Sequence, residues 1–353
     1  MDISHILDGL NESQRDAVSA PLSNALVVAG AGSGKTRVLV HRIAWLIDVE
    51  GVSPHGILAV TFTNKAAAEL RARTESLLNV SAHSMWVGTF HGLAHRLLRM
   101  HWAEAKLPQN FQIIDSDDQV RLIKRIMKSQ DIDDKKWPAR QAAWFINGQK
   151  DEGKRAHEVA SGDDLFQITH KRIYQAYEEV CDQGGLVDFA ELLLRSHELW
   201  LNDSQLLGHY QQRFTHLLVD EFQDTNTIQY AWLRVLAGQT SKVMAVGDDD
   251  QSIYGWRGAK IENIPQFTSD FAEVATVRLE QNDRSTQTIR EAAHGLAIQQ
   301  RGHSQAKRAR GRTRRRLSPR RTRPSPSRPP PRSRPRSRAA TPRARPQRPP
   351  RSP

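Results

Sequence analysis

The chain has 353 residues, 38% of them hydrophobic and 25% charged, with 51 Lys+Arg against 39 Asp+Glu. Residues 301–353 carry 20 of those basic residues and no acidic one, so residues 1–300 hold 31 against 39, a net charge of −8. One cysteine, Cys181, excludes an internal disulfide framework, and no apolar run approaches the roughly 20 residues of a membrane span. The expectation is a cytoplasmic α/β protein with no membrane partner.

The first informative element is the apolar run Asn24–Val28, which leads into Ala29-Gly30-Ala31-Gly32-Ser33-Gly34-Lys35-Thr36. Behind it Leu39, Ile43, Leu46 and Ile47 recur at helical spacing, so the segment reads strand, loop, helix. In that setting backbone N–H groups and the helix N-terminus cradle phosphates. Lys35 reaches the terminal phosphates, and the Thr36 hydroxyl ligates Mg²⁺. Ala29 stands where the strict pattern has Gly.

From His91 to Phe214 the pattern turns helical. Val120, Ile123 and Met127 recur at spacings of three and four within Asp115–Ser129, and Leu165–Val180 reads as a second amphipathic helix. Asp188-Phe189-Ala190-Glu191 has the form of a capping box opening Leu192–Trp200. Lys124, Arg125, Lys128, Lys135 and Lys136 form either a solvated helix face or a contact to duplex DNA. His83, His95, His101 and His209 show no metal-ligand spacing with cysteine.

A second strand, His216–Val219, runs into Asp220-Glu221-Phe222-Gln223-Asp224. Asp220 is placed to hold Mg²⁺ through water, and Glu221 to orient or deprotonate an attacking water. A third, Lys242–Val246, ends in Gly247-Asp248-Asp249-Asp250-Gln251. Three apolar strands that each end in a polar loop describe an open parallel sheet with its site at the strand C-terminal ends. The last 53 residues contain 19 Arg, 12 Pro, 7 Ser and 5 Ala, without Ile, Val or an aromatic. Such a composition cannot bury a core, so disorder is expected there. It reads either as a phosphate-neutralising basic arm or as the product of a shifted frame through GC-rich DNA.

Taken in order, these motifs resemble the UvrD/Rep/PcrA group of superfamily 1 DNA helicases from Met1 to about Ala297. Leu10-Asn11-Glu12-Ser13-Gln14 resembles the Q motif, Ala29–Thr36 motif I, and Thr61–Ala67 motif Ia. Gly88-Thr89-Phe90-His91 resembles the next DNA-contacting motif, Asp220–Asp224 motif II, and Gly247–Gly258 motif III. The resemblance implies an α/β fold: a RecA-like parallel-sheet P-loop NTPase domain with an inserted all-helical subdomain, followed by a disordered basic C-terminal tail. Its implied parts are a first RecA-like domain (1–89 and 214–280), the helical insertion (90–213), the start of a second RecA-like domain (281–298), and the tail (299–353).

The implied activity is ATP- and Mg²⁺-dependent 3′→5′ movement along single-stranded DNA and unwinding at single-strand/duplex junctions, with repair proteins as further partners. Lys35, Asp220, Glu221, Gln251 and Arg284 are the implied catalytic residues. Gln14, Ala29, Gly30, Ala31, Gly32, Ser33, Gly34, Lys35, Thr36 and Arg37 are the implied nucleotide-binding residues, with Thr36 and Asp220 on Mg²⁺. Phe62, Asn64, His91, Tyr254, Trp256 and Arg257 are the implied DNA contacts, suited to stacking and backbone recognition without sequence preference. Two departures lower the expected activity. Asp283 stands where the family has a Tyr that stacks on adenine, and the resemblance stops just inside the second RecA-like domain.

Overall fold

Alternating apolar side chains give the central sheet two greasy faces. Its strands are β1 (Ala25–Ala29), β2 (Ile57–Thr61), β3 (Trp86–Thr89), β6 (His216–Val219), β7 (Lys242–Gly247) and β8 (Ala275–Leu279), and a short pair, β4 (Gln112–Ile113) and β5 (Leu186–Val187), stands apart. The six run parallel in the order β3-β2-β6-β7-β1-β8. Ala59 lies opposite Leu218 and Val27 opposite Val246. Leu26, Leu58, Val60, Leu217, Val219 and Val243 join one core, and Val27, Ile57, Ala59, Leu218, Met244 and Val246 the other. Strands covered on both faces read as unbroken apolar runs, as β1, β2, β6 and β7 largely do in the sequence.

The computed structural model describes residues 3–78, 84–160, 162–248, 259–260 and 262–281. The expectations for 282–298 and for the Arg/Pro-rich tail lie outside them.

The helices are α1 (Ser4–Leu7), α2 (Glu12–Val18), α3 (Lys35–Asp48), α4 (Asn64–Leu78), α5 (Phe90–Met100) and α6 (Ser116–Ser129). They continue with α7 (Ala139–Asp151), α8 (Leu165–Gly184), α9 (Phe189–Asn202), α10 (Ser204–Arg213), α11 (Thr227–Ala237) and α12 (Asn263–Asp270). Short polar side chains fix several of their starts. Thr89 Oγ1 accepts from Gly92 N at 3.1 Å, Asp115 caps α6, and Asn226 caps α11. Each such cap is worth about 1 kcal/mol.

Helices α1–α4 cover one sheet face through Ile6, Val18, Ile43 and Leu70. Helices α5, α9, α10, α11 and α12 cover the other through Leu97, Trp200, Tyr210, Trp232 and Phe267. Helices α6–α8 build a third core around Ile123, Ile146, Ile173 and Tyr177. The helices between residues 90 and 213 thus divide between two cores.

A buried ionic cluster ties the third core to α9. Lys150, 2% exposed, lies 2.7 Å from Asp188 and 2.9 Å from Glu191. Arg155 reaches Glu178, Glu191 and Glu198, and Arg195 reaches Glu191 and Asp182. Here the capping-box expectation is corrected. Asp188 Oδ1 does accept from Glu191 N at 2.7 Å, but the Glu191 carboxylate turns to the three cations instead of closing the box. Burial alone would raise the pKa of Glu191, yet Lys150, Arg155 and Arg195 hold it well below the usual carboxylate range. Burial likewise works against the Lys150 ammonium and is outweighed by Asp188 and Glu191.

Candidate nucleotide site and the adjoining cleft

The loop after β1 is shaped by glycine and braced by glutamine. Gly34, at φ +85°, N-caps α3, and a Cβ there would fall 2.7 Å from Gln14 Nε2. Gln14 Nε2 donates to Ser33 O at 2.9 Å, and Ser33 Oγ donates to Gly30 O at 2.8 Å. Gln14 is itself fixed by a closed capping box with Asn11. The loop therefore presents the first turn of a 14-residue helix, where unsatisfied N–H groups and the positive end of the dipole favour an anion. Arg37, one turn on, lies over Gly9, whose φ of +77° goes with a Cβ position only 2.9 Å from Arg37 Nη2.

Opposite the loop stands the end of β6. Asp220 N donates to Val60 O at 2.9 Å, so the neighbouring strand fixes the first carboxylate. Thr36 Oγ1 lies 3.5 Å from Asp220 Oδ2, and Lys35 Nζ donates to Glu221 Oε2 at 2.9 Å. Glu221 takes φ +48°, a region that non-glycine residues enter rarely and at a cost of about 1–3 kcal/mol. That turn aims its carboxylate at Lys35. Gln223 Nε2 donates to Glu221 Oε2 at 2.7 Å, and Gln223 Oε1 accepts from Asp248 N at 2.9 Å. Gln223 thereby links the carboxylate to the end of β7.

Charge in this corner is incompletely balanced. Burial, and then the charge of Glu221, push Asp220 up to about 6. The same two causes push Asp224 up to about 6, and among the described residues its buried Oδ1 has no hydrogen-bond partner. Hard carboxylate oxygens, a hydroxyl and a single ammonium beside a helix N-terminus form a donor set that fits a divalent cation carrying a polyphosphate.

The sequence-derived residues fall into groups. Ala29–Thr36, Asp220 and Glu221 come together at the C-terminal ends of β1 and β6, which flank β7. Gln14 and Arg37 lie at one side of the same loop. Phe62 and His91 line an adjoining cleft of about 720 Å³ that shares Asp224 with this corner, whereas Asn64 is exposed at the start of α4. Gln251, Tyr254, Trp256, Arg257, Asp283 and Arg284 lie outside the described residues.

Two further aromatics line that cleft. Phe189 is 50% exposed and packs edge-on to His91 at 6.3 Å between ring centroids, and Trp144 is 72% exposed. Sequence reasoning missed both because each is one aromatic within a helical apolar pattern. A signal for Phe189 was its place directly after the capping Asp188, a first-turn position that can face solvent.

A parallel α/β sheet with a phosphate-type loop after β1 and a carboxylate pair after β6 defines the P-loop NTPase class of fold. Residues 10–272 match the family model for the UvrD/REP helicase N-terminal domain, and the chain belongs to that family. It is 64% identical over 296 residues to DNA helicase II of Escherichia coli (strain K12), covering 84% of this chain and 41% of that protein. Against DNA helicase II of Haemophilus influenzae the identity is 59% over 300 residues, covering 84% and 41% of the two chains. Against the ATP-dependent DNA helicase PcrA of Staphylococcus aureus (strain Mu50) it is 41% over 290 residues, covering 82% and 40%. The chain therefore spans about two-fifths of the length of these curated relatives.

Proposed function

We propose that this chain carries the nucleotide-hydrolysing half of an ATP-dependent DNA motor, moving 3′→5′ on single strands and opening duplex at junctions during repair or replication in the cytoplasm. The observation that carries the reading is the convergence of Lys35 on Glu221 (2.9 Å) and Thr36 on Asp220 (3.5 Å) at the C-terminal ends of β1 and β6, the two strands that flank β7. Lys35 and the loop N–H groups of Ala29–Thr36 bind the phosphates, with Gln14 and Arg37 on the base side. Thr36 and Asp220 are the residues that would hold Mg²⁺, which supplies neutralisation of charge on the phosphate oxygens. Glu221, oriented by Gln223, positions the attacking water and takes its proton.

DNA is held by Phe62 and His91, together with Phe189, and by Tyr254, Trp256 and Arg257 of the aromatic stretch of sequence that follows Gln251. The link Glu221–Gln223–Asp248 supports coupling, because Asp248 lies three residues before Gln251 in the chain. Arg284 is assigned to the γ-phosphate.

ATP hydrolysis measured with and without single-stranded DNA tests this reading. Turnover stimulated by DNA supports a motor, and salt-sensitive DNA binding without turnover contradicts it. A second reading, nucleotide and DNA binding without catalysis, is favoured by the 19 Arg of the last 53 residues. Under that reading, deleting residues 301–353 removes most of the DNA affinity and its salt dependence.

A further inference from the structure

The cleft has a second wall that no recognised motif supplies. Helix α7 buries Ala139, Ala142, Ala143, Phe145 and Ile146 in the third core, yet its Trp144 points the other way and is 72% exposed. An indole left this far in solvent forgoes the burial that stabilises most tryptophans, and here it lines the same cleft as Phe62, His91 and Phe189. Asn147 and Gln119 join it there with side-chain amides hydrogen-bonded to one another at 2.8 and 3.1 Å.

The polarity of the cleft selects what can enter. Its lining carries five carboxylates and, among the described residues, no Lys or Arg. Two of the five are paired with cations, Asp188 with Lys150 and Glu152 with Lys260, while Asp115 caps α6 and Asp151 is hydrogen-bonded to Asn226. Phosphates are repelled from such a surface, while nucleobases, which offer π-faces for stacking and exocyclic amino donors for carboxylates and amides, are not. A strand lying along the cleft would turn its bases inward and its phosphates toward solvent.

We infer that Trp144 is a stacking subsite for one base of single-stranded nucleic acid, supplied by the helical insertion opposite Phe62 and His91. The inference rests on the DNA-binding reading given above. It extends the strand's path from the sheet edge onto α7.

Photocrosslinking of the full chain to an oligothymidine bearing 5-iodouracil, with the adducts mapped by mass spectrometry, tests it. Adducts at Trp144 together with Phe62 or His91 are expected. Adducts at Phe62 or His91 but not at Trp144 overturn the subsite and leave the DNA-binding reading standing. Adducts at none of the cleft aromatics overturn both. At raised salt, Trp144→Ala is expected to weaken oligothymidine binding roughly tenfold, the effect of one stacked base, with the salt slope unchanged. Trp144→Phe is expected to restore most of the affinity. Equal affinity in wild type and Trp144→Ala overturns the inference, as does a Trp144 environment that responds to a basic peptide and not to the oligonucleotide.

Discussion

Two clusters of buried charge among the described residues are built on opposite terms. Around Glu191, three cations and at least four carboxylates interlock, Tyr177 donates to Asp188 at 2.8 Å, and the Glu191 carboxylate is held firmly ionised. Around Lys35, one ammonium faces Asp220, Glu221 and Asp224, and two of these acids are pushed up to about 6. A satisfied network fixes geometry, in this case the seat of the α6–α8 core against α9. An unsatisfied one stores electrostatic demand that a ligand can meet. What separates a brace from a chemical site is chiefly the balance of partners, since both clusters hold buried carboxylates.

The largest effect should come from breaking the brace. Lys150→Met leaves Asp188 without its cation in a site where both partners are under a tenth exposed, and should cost about 3–5 kcal/mol of stability in urea unfolding. By contrast Glu221→Gln should change stability by less than about 1 kcal/mol, because Glu221 is over a third exposed and its ion pair is partly screened. If the chain turns over ATP, that substitution should lower the rate about 10²–10⁴-fold while leaving nucleotide binding in place. Equal destabilisation by the two variants would erase the distinction drawn between the clusters.

A pH titration sharpens the comparison from outside both clusters. Burial, followed by the nearby Arg42 charge, lowers the His216 pKa to about 4. The unfolded chain therefore binds this proton more readily, and the contribution of His216 to stability is present above about 6.5 and lost as pH falls toward 4. Asp220 and Asp224 act in the opposite sense across an overlapping range, since a raised carboxylate pKa favours the folded state at low pH and loses that advantage as pH rises through about 6. The difference between wild type and His216→Gln in urea midpoints from pH 7 to 4 isolates the histidine, and the gap should change through that window. The smallest effect expected is at Asp283, where Asp283→Tyr should tighten ATP binding several-fold if an adenine stacks there, at about 0.5–1.5 kcal/mol for an aromatic pair.

How much of this was legible in the sequence follows from how local each feature is. Lys35, Thr36, Asp220 and Glu221 each sit within a few residues of an apolar strand, so strand plus loop chemistry locates them and the parallel sheet brings them together. Strand β8 carried no such loop signal, and its exposed Thr276 and Arg278 interrupt the apolar run. The ionic cluster draws on residues from Lys150 to Glu198, with nothing in the local pattern of any one of them to announce the others. Asp188 and Glu191 even carry a local pattern that points elsewhere, since i,i+3 spacing suits a capping box equally well. Gln223 was passed over because its value lies in joining two strand ends, a contact that exists only once β6 and β7 are neighbours.

The central claim is that the under-neutralised cluster is a Mg²⁺–nucleotide site with Lys35 as its phosphate ligand. Equilibrium titration of the full chain with a fluorescent ATP analogue, with and without Mg²⁺, in wild type and Lys35→Ala tests it most directly. The expected result is Mg²⁺-dependent binding that weakens about 10- to 100-fold in Lys35→Ala, the range for a lost hydrogen bond to a charged group. Equal affinity in the two proteins would contradict it.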